Sequence, residues 1–252
     1  MLYNVKAIYK LLKAKTMKSN SIYKLFSRYI LVILLILSSH SFAQEKMIDQ
    51  SKTENKEIAF LLFDNYETLD VFGPVEIFGR LADKYTLKFY SLEGGLIKNT
   101  HKVSVMTEKL TAATRTPYMF LIPGGMGTRK EVDNEVLINL IKEISNSSDY
   151  VLTVCTGSAL LAKSGLLDDK QATSNKRAFS WVVTNGPNVI WDKKARWKVD
   201  GKYYTSSGVS AGMDMALGFL ADRHGVDFAR NLALEIEYNW IEDKDNDTFK
   251  AK

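Results

Sequence analysis

Cysteine is nearly missing from this chain. Cys155 stands alone, so no intramolecular disulfide can form, and its thiol is a buried small hydrophobe, an intermolecular partner or a reactive group. Histidine is scarce as well: His40, His101 and His224 are the three present, and none clusters with acids or with Cys155 at metal-ligand spacing. No metal and no cofactor are therefore expected. A Gly-x-Gly-x-x-Gly fingerprint and a Walker lysine are both lacking, which disfavours dinucleotide and phosphate loops. The sequence also lacks internal repeats and low-complexity tracts.

Acidic residues are missing from residues 1–43, where Lys6, Lys10, Lys13, Lys15, Lys18, Lys24 and Arg28 supply the charge. An apolar stretch over 29–37 follows, then a polar segment ending in Ser41-Phe42-Ala43. That succession predicts a secretory signal peptide over 1–43, with Met17 as a second candidate start. The apolar stretch falls short of the roughly 20 residues that span a bilayer. An uncleaved interfacial helix is the competing reading. The expected protein is exported, periplasmic or secreted, with no stable membrane span after cleavage. Without the leader, 27 of the 34 basic residues face 29 acidic ones, and the net charge of +5 becomes about −2. No basic excess is left to argue for nucleic acid.

Residues 44–56 are polar, show no apolar period and read as a linker. One domain is predicted over 57–241, followed by a charged, frayed tail over 242–252. Apolar runs predict strands at 57–63, 85–91, 118–122 and 150–154, with shorter ones near 96–98, 103–106 and 172–174. Apolar spacing predicts helices over 68–82, 131–145, 176–184, 210–223 and 226–239. Residues 189–191 and 195–199 are expected to pair with 202–206 across an Asp200-Gly201 turn. Strands alternating with helices predict an α/β fold: a doubly wound, mostly parallel sheet with helices on both faces, a flavodoxin-like sandwich. Ligands in such sheets bind beyond the carboxyl ends of the strands. Asp70, the Gly124-Gly125 turn and Cys155 all fall at such ends.

The most informative stretch is Val154-Cys155-Thr156-Gly157-Ser158, where a buried strand turns abruptly into a helix. A residue held there is exposed in a tight turn, with backbone N–H groups directed at it and small neighbours at Thr153 and Gly157. This is the pattern of a nucleophile elbow, and the helix start favours a thiolate. Gly124 and Gly125 follow a strand and could present amides as an oxyanion or anion hole, although a plain turn explains them too. Asp70 lies in a helix's first turn, where an acid ordinarily caps the helix or meets its dipole. Its position beside the first strand's end allows it to face the thiol instead. His224 suits a helix C-terminus and His101 an irregular segment, so neither is an evident partner for Cys155. Trp181, Trp191, Trp197 and Trp240 read as core or interface residues.

Five segments together resemble the ThiJ/PfpI superfamily, relatives of class I glutamine amidotransferases, across residues 58–240. They are Ala59-Phe-Leu-Leu-Phe63, Leu69-Asp70-Val-Phe-Gly73-Pro74, Ile122-Pro-Gly-Gly-Met-Gly127, Val154-Cys-Thr-Gly-Ser158 and Gly208-Val-Ser-Ala-Gly212-Met-Asp214. Leu-Asp-x-x-Gly-Pro combined with Cys-Thr-Gly-Ser is similar to isonitrile hydratases, and also to sensor domains of AraC-type regulators. The resemblance implies a cofactor-independent enzyme that hydrates isonitriles to N-substituted formamides. In it Cys155 attacks the terminal carbon, Asp70 serves as acid and then base, and Thr156 positions the acid or water. Gly124, Gly125 and Asn175 are implied as oxyanion or substrate-binding residues. Asn175 stands at or beside a position where glyoxalase-, deglycase- and peptidase-like branches, and isonitrile hydratases, carry histidine. A Cys-His dyad is therefore not expected. The alternatives are a non-catalytic small-molecule or redox-sensing module and a glyoxalase- or deglycase-like enzyme. No helix-turn-helix pattern follows Trp240, which disfavours a regulator. The expected partners are a small-molecule substrate and a second copy in a homodimer, with the hairpin at 191–204 as a candidate interface.

Overall fold

Strands without a polar face form the middle of the sheet. In this computed structural model, which describes residues 55–111 and 116–249, they are β1 (Lys56–Leu61), β5 (Met119–Ile122) and β6 (Tyr150–Thr153). Their side chains are buried nearly end to end, as central parallel strands covered on both faces must be. The predicted signal peptide and the linker as far as residue 54 lie outside the described residues. β2 (Tyr85–Ser91), β3 (Gly95–Lys98) and β4 (Ser104–Lys109) extend one side, and β9 (Trp197–Asp200) and β10 (Tyr203–Ser206) the other. The order across the eight-stranded sheet is β3-β4-β2-β1-β5-β6-β10-β9. Every inner pair is parallel, while β3/β4 and β9/β10 are antiparallel at the two edges.

The flanking helices are α1 (Thr68–Gly79), α2 (Thr128–Glu131), α3 (Glu135–Ser147), α4 (Gly157–Lys163), α5 (Phe179–Thr184), α6 (Ala211–His224) and α7 (Val226–Glu235). α1 packs on α6 and α6 on α7, whereas α3 packs on α4. The result is the expected doubly wound α/β architecture. Among the described residues no helix is long and apolar enough to cross a membrane.

Several local expectations change. The helix predicted over 131–145 is two helices, because Asn134 accepts a hydrogen bond from the Leu137 N–H at 3.3 Å and starts α3 afresh. Asparagine's short amide competes well for a helix start, so Val132 to Asn134 becomes a break. The final helix stops at Glu235, short of Asn239. β8 (Ile190–Trp191) does not join the terminal hairpin. It pairs in parallel with β7 (Gln171–Ala172) as a separate small sheet, and the Trp191 indole N–H donates to Gly186 O at 2.8 Å. The hairpin itself is β9 and β10 alone, turning at Gly201 with φ +59°.

As far as residue 249, the charged tail is docked and not frayed. Arg196 is 2% exposed, and its guanidinium donates from Nε to Asp214 Oδ2 at 2.7 Å and from Nη1 to Asp247 Oδ1 at 3.1 Å. Asp214 also accepts from Tyr238 Oη at 3.1 Å and from the Ile241 N–H at 2.9 Å, so one buried acid anchors both Arg196 and the chain leaving α7. Lys244 O accepts from the Arg196 and Trp197 N–H groups, adding backbone pairing. Asp214→Ala leaves the buried guanidinium with Asp247 as its one acid and removes the acceptor for Tyr238 and the Ile241 N–H. The expected loss is roughly 3–5 kcal/mol in urea unfolding, and a loss below about 1 kcal/mol would deny the cluster an anchoring role.

Candidate active site

Cys155 occupies the turn between β6 and α4 with φ +57°, a left-handed backbone that a non-glycine residue adopts only when its surroundings hold it there. Three contacts do so. Its N–H donates to Ser207 O at 3.2 Å, and its carbonyl accepts from Ser158 Oγ at 3.1 Å and Ser174 Oγ at 2.8 Å. Gly157 must be small because an added Cβ would lie 2.8 Å from Pro123 O and closer still to Ile122 O. The tight turn is the one its sequence predicts, but Cys155 is buried in the core and not exposed as expected.

The partner acid arrives from α1. Glu67, not Asp70, caps this helix, accepting from the Thr68 N–H at 3.2 Å. Asp70 is released from that duty and is fully buried, with Oδ2 accepting the Gly124 N–H at 2.8 Å. Its carboxyl and the Cys155 thiol lie close enough to shift each other's pKa, while Oδ1 completes no hydrogen bond. Backbone pairing between two loops sets this approach. The Glu67 N–H donates to Gly124 O at 2.9 Å, the Gly127 N–H to Asn65 O at 3.1 Å, and Tyr66 bridges Gly125. Gly125 has φ +123°, a conformation open only to glycine.

Thr156 follows the cysteine, and its Oγ1 accepts the Gly125 N–H at 3.1 Å and contacts Thr128 Oγ1 at 3.1 Å. The amides of Gly124 and Gly125 are therefore engaged by Asp70 and Thr156. In this arrangement they hold the acid and the loop in place and do not form the expected free oxyanion pair. The sulfur is met instead by the Thr156 N–H, the Val209 N–H and the Asn175 side-chain amide. Asn175 is oriented for this: its Oδ1 accepts from the Arg177 N–H at 2.9 Å and the Ala178 N–H at 3.0 Å, which turns the NH2 toward the sulfur. Val209 has φ +39° and was not singled out from sequence, although it lies within the Gly208 to Asp214 motif. Ser174 and Ser207 carried no sequence signal.

Electrostatics at the site run against the expected low-pKa thiol. Burial, then the Asp70 charge, push the Cys155 thiol well above its usual value, and the Thr156 N–H, Asn175 amide and Val209 N–H only partly oppose them. Burial likewise lifts the Asp70 carboxyl well above the carboxylate range. The Gly124 N–H and the thiol work against that lift, and Glu67 adds to it. Ionisation of one of these two buried groups opposes ionisation of the other, so they titrate as a pair. His101 bonds Thr68 Oγ1 at 2.6 Å, and His224 approaches Tyr85 Oη at 3.5 Å. Neither is among the groups acting on the thiol. Among the described residues no cluster of three metal-ligating side chains occurs.

A parallel sheet with a cysteine elbow at one strand end and an acid delivered across it defines an α/β protein of the nucleophile-elbow type. The chain belongs to the DJ-1/PfpI family, whose model matches residues 56–222. It is 30% identical over 184 residues to isonitrile hydratase of Pseudomonas putida, covering 72% of this chain and 78% of that protein. The HTH-type transcriptional regulator GbdR of Pseudomonas aeruginosa is 26% identical over 68% of this chain, which spans only 47% of that regulator. A solved ThiJ/PfpI family protein from Pseudomonas syringae superposes with a TM-score of 0.66 at 22% identity, covering 80% of this chain and 83% of the other. Drosophila melanogaster DJ-1beta does so with 0.64 at 18% identity, over 74% of this chain and 100% of its own. These structural likenesses establish the flavodoxin-like fold of the DJ-1 and ThiJ proteins.

Proposed function

We propose that the protein is an exported isonitrile hydratase that converts isonitriles to N-substituted formamides through Cys155 and Asp70. The observation that carries this reading is the buried Asp70 carboxyl, raised in pKa and interacting with the thiol of Cys155. An isonitrile's terminal carbon accepts both a nucleophile and a proton, which suits a thiol–carboxyl pair sharing one proton. The likeness to the Pseudomonas putida hydratase supports the same chemistry, and the basic-apolar leader over 1–43 supports export.

The steps balance on the residues present. The thiol proton passes to Asp70, sulfur bonds the terminal carbon, and Asp70 returns the proton to that carbon, leaving an S-linked thioimidate, R–N=CH–S. Asp70, again a carboxylate, then takes a proton from water as the oxygen adds to the same carbon, and this proton passes to nitrogen. The hydroxyl loses its proton as C=O forms and the C–S bond breaks. R–NH–CHO departs and Cys155 recovers a proton. The Thr156 and Val209 amides and Asn175 stabilise sulfur whenever it carries charge. Asn175 can donate to the thiolate but cannot take its proton, which leaves base duty to Asp70.

The test is to incubate the mature protein with cyclohexyl isocyanide in ¹⁸O-labelled water. N-cyclohexylformamide carrying one labelled oxygen is the expected product. Its absence, together with turnover of methylglyoxal, would instead assign a glyoxalase- or deglycase-like reaction.

A further inference from the structure

Arg129 sits beside this site with no acid paired to it among the described residues. It lies on α2, directly after the glycine loop, with its guanidinium half-buried. Its Cζ stands 4.1 Å from the centre of the Trp181 ring, and its Nη1 donates to Gly125 O at 3.3 Å and to Thr128 Oγ1 at 3.1 Å. Thr128 Oγ1 in turn contacts Thr156 Oγ1 at 3.1 Å, so two short polar contacts link the guanidinium to the residue after Cys155. Its charge reaches the thiol electrostatically. Among the described residues no carboxylate forms an ion pair with it, whereas its neighbour Lys130 meets Glu131.

A partly desolvated guanidinium with no counter-charge is costly, and the planar fork fits a carboxylate edge-on while an aromatic ring covers one face. We propose that Arg129, seated on Trp181, receives a carboxylate of the substrate, which makes isocyano-carboxylates better substrates than the neutral isonitriles the site also turns over. The substrate class rests on the hydratase reading, whereas the anion receptor can be tested without it.

Alkylation of Cys155 separates the two. Iodoacetate and iodoacetamide both transfer carbon to sulfur with loss of iodide, but one is anionic and the other neutral. Relative to free cysteine, the protein's iodoacetate-to-iodoacetamide rate ratio at pH 8.5 is expected to be higher by about tenfold, and the iodoacetate rate to saturate. Arg129→Gln should return the ratio to that of free cysteine, with R129K falling between. N-formylglycine should protect the wild-type thiol from iodoacetamide and its methyl ester should not, a comparison that needs no variant. In turnover, R129Q should raise KM for isocyanoacetate by about tenfold and affect its methyl ester less. A free-cysteine ratio in the wild type, or equal protection by acid and ester, overturns the receptor. If neither isocyanoacetate nor its ester yields formamide while the alkylation ratio stands, the hydratase reading fails and the receptor survives.

Discussion

Cys155→Ser is expected to reduce formamide production by about 10⁴-fold or more, to the level of the uncatalysed background. A hydroxyl at this position is a far weaker nucleophile, and Asp70 is too weak a base to ionise it. The fold should be indifferent to the change. The turn is held through the Cys155 backbone by Ser207, Ser158 and Ser174, none of which bonds the sulfur. Thermal melting of C155S should therefore stay within a few degrees of the wild type. C155G should melt at least as high, because glycine takes φ +57° without strain. Loss of catalysis without loss of stability is the signature of a residue kept for its chemistry. Formamide output within tenfold of the wild type would show that the thiol is not the attacking group.

Asp70→Asn isolates the acid. The amide preserves the shape and can still accept the Gly124 N–H, but it neither gives nor takes a proton, so turnover should fall about 10²–10⁴-fold. Two pH signatures accompany that loss. Because the Asp70 charge is one cause of the raised thiol pKa, removing it should move the midpoint of Cys155 alkylation by iodoacetamide to lower pH. Stability should change with the opposite profile from a salt-bridged acid. A carboxyl whose folded pKa is raised favours the folded state when protonated, and that advantage is lost as pH climbs from the unfolded toward the folded value. D70N escapes the cost of burying a carboxylate, so its stability relative to the wild type should rise through that window in urea unfolding. A variant that is instead destabilised equally at every pH would return Asp70 to a purely structural role.

Much of this arrangement can be read from residues whose signal is local. The runs at 58–61 and 150–153 are apolar on both faces, which only a central parallel strand requires, and the switch from Val154 to Gly157 marks the elbow. Elements set by distant partners are harder to read. β8 is two residues long, and its pairing with β7 depends on where Trp191 packs. The break at Asn134 lies directly ahead of the apolar face formed by 137, 138, 141 and 144 and leaves that spacing undisturbed. Arg196 and Asp247 look like surface charges because burial of an ion pair leaves no periodic trace. Within the site, the Asp70 to Cys155 contact needed the α1 entry, the 65–67 loop and the 124–127 loop to meet. The thiol's raised pKa is a product of that burial, whereas the helix start alone suggests the reverse. Trp181 reads as core by composition, and only its contact with Arg129 distinguishes it.

The raised pKa of Cys155 also bears on how long the protein lasts. The thiolate is the form that attacks peroxides and disulfides, and Cys155 is only 6% exposed, with burial and then the Asp70 charge raising its pKa. Sulfenic acid should form on it slowly even where oxidants are plentiful. A cysteine with no neighbour to rescue it by disulfide exchange gains durability from being unreactive until an electrophile small enough to reach it arrives.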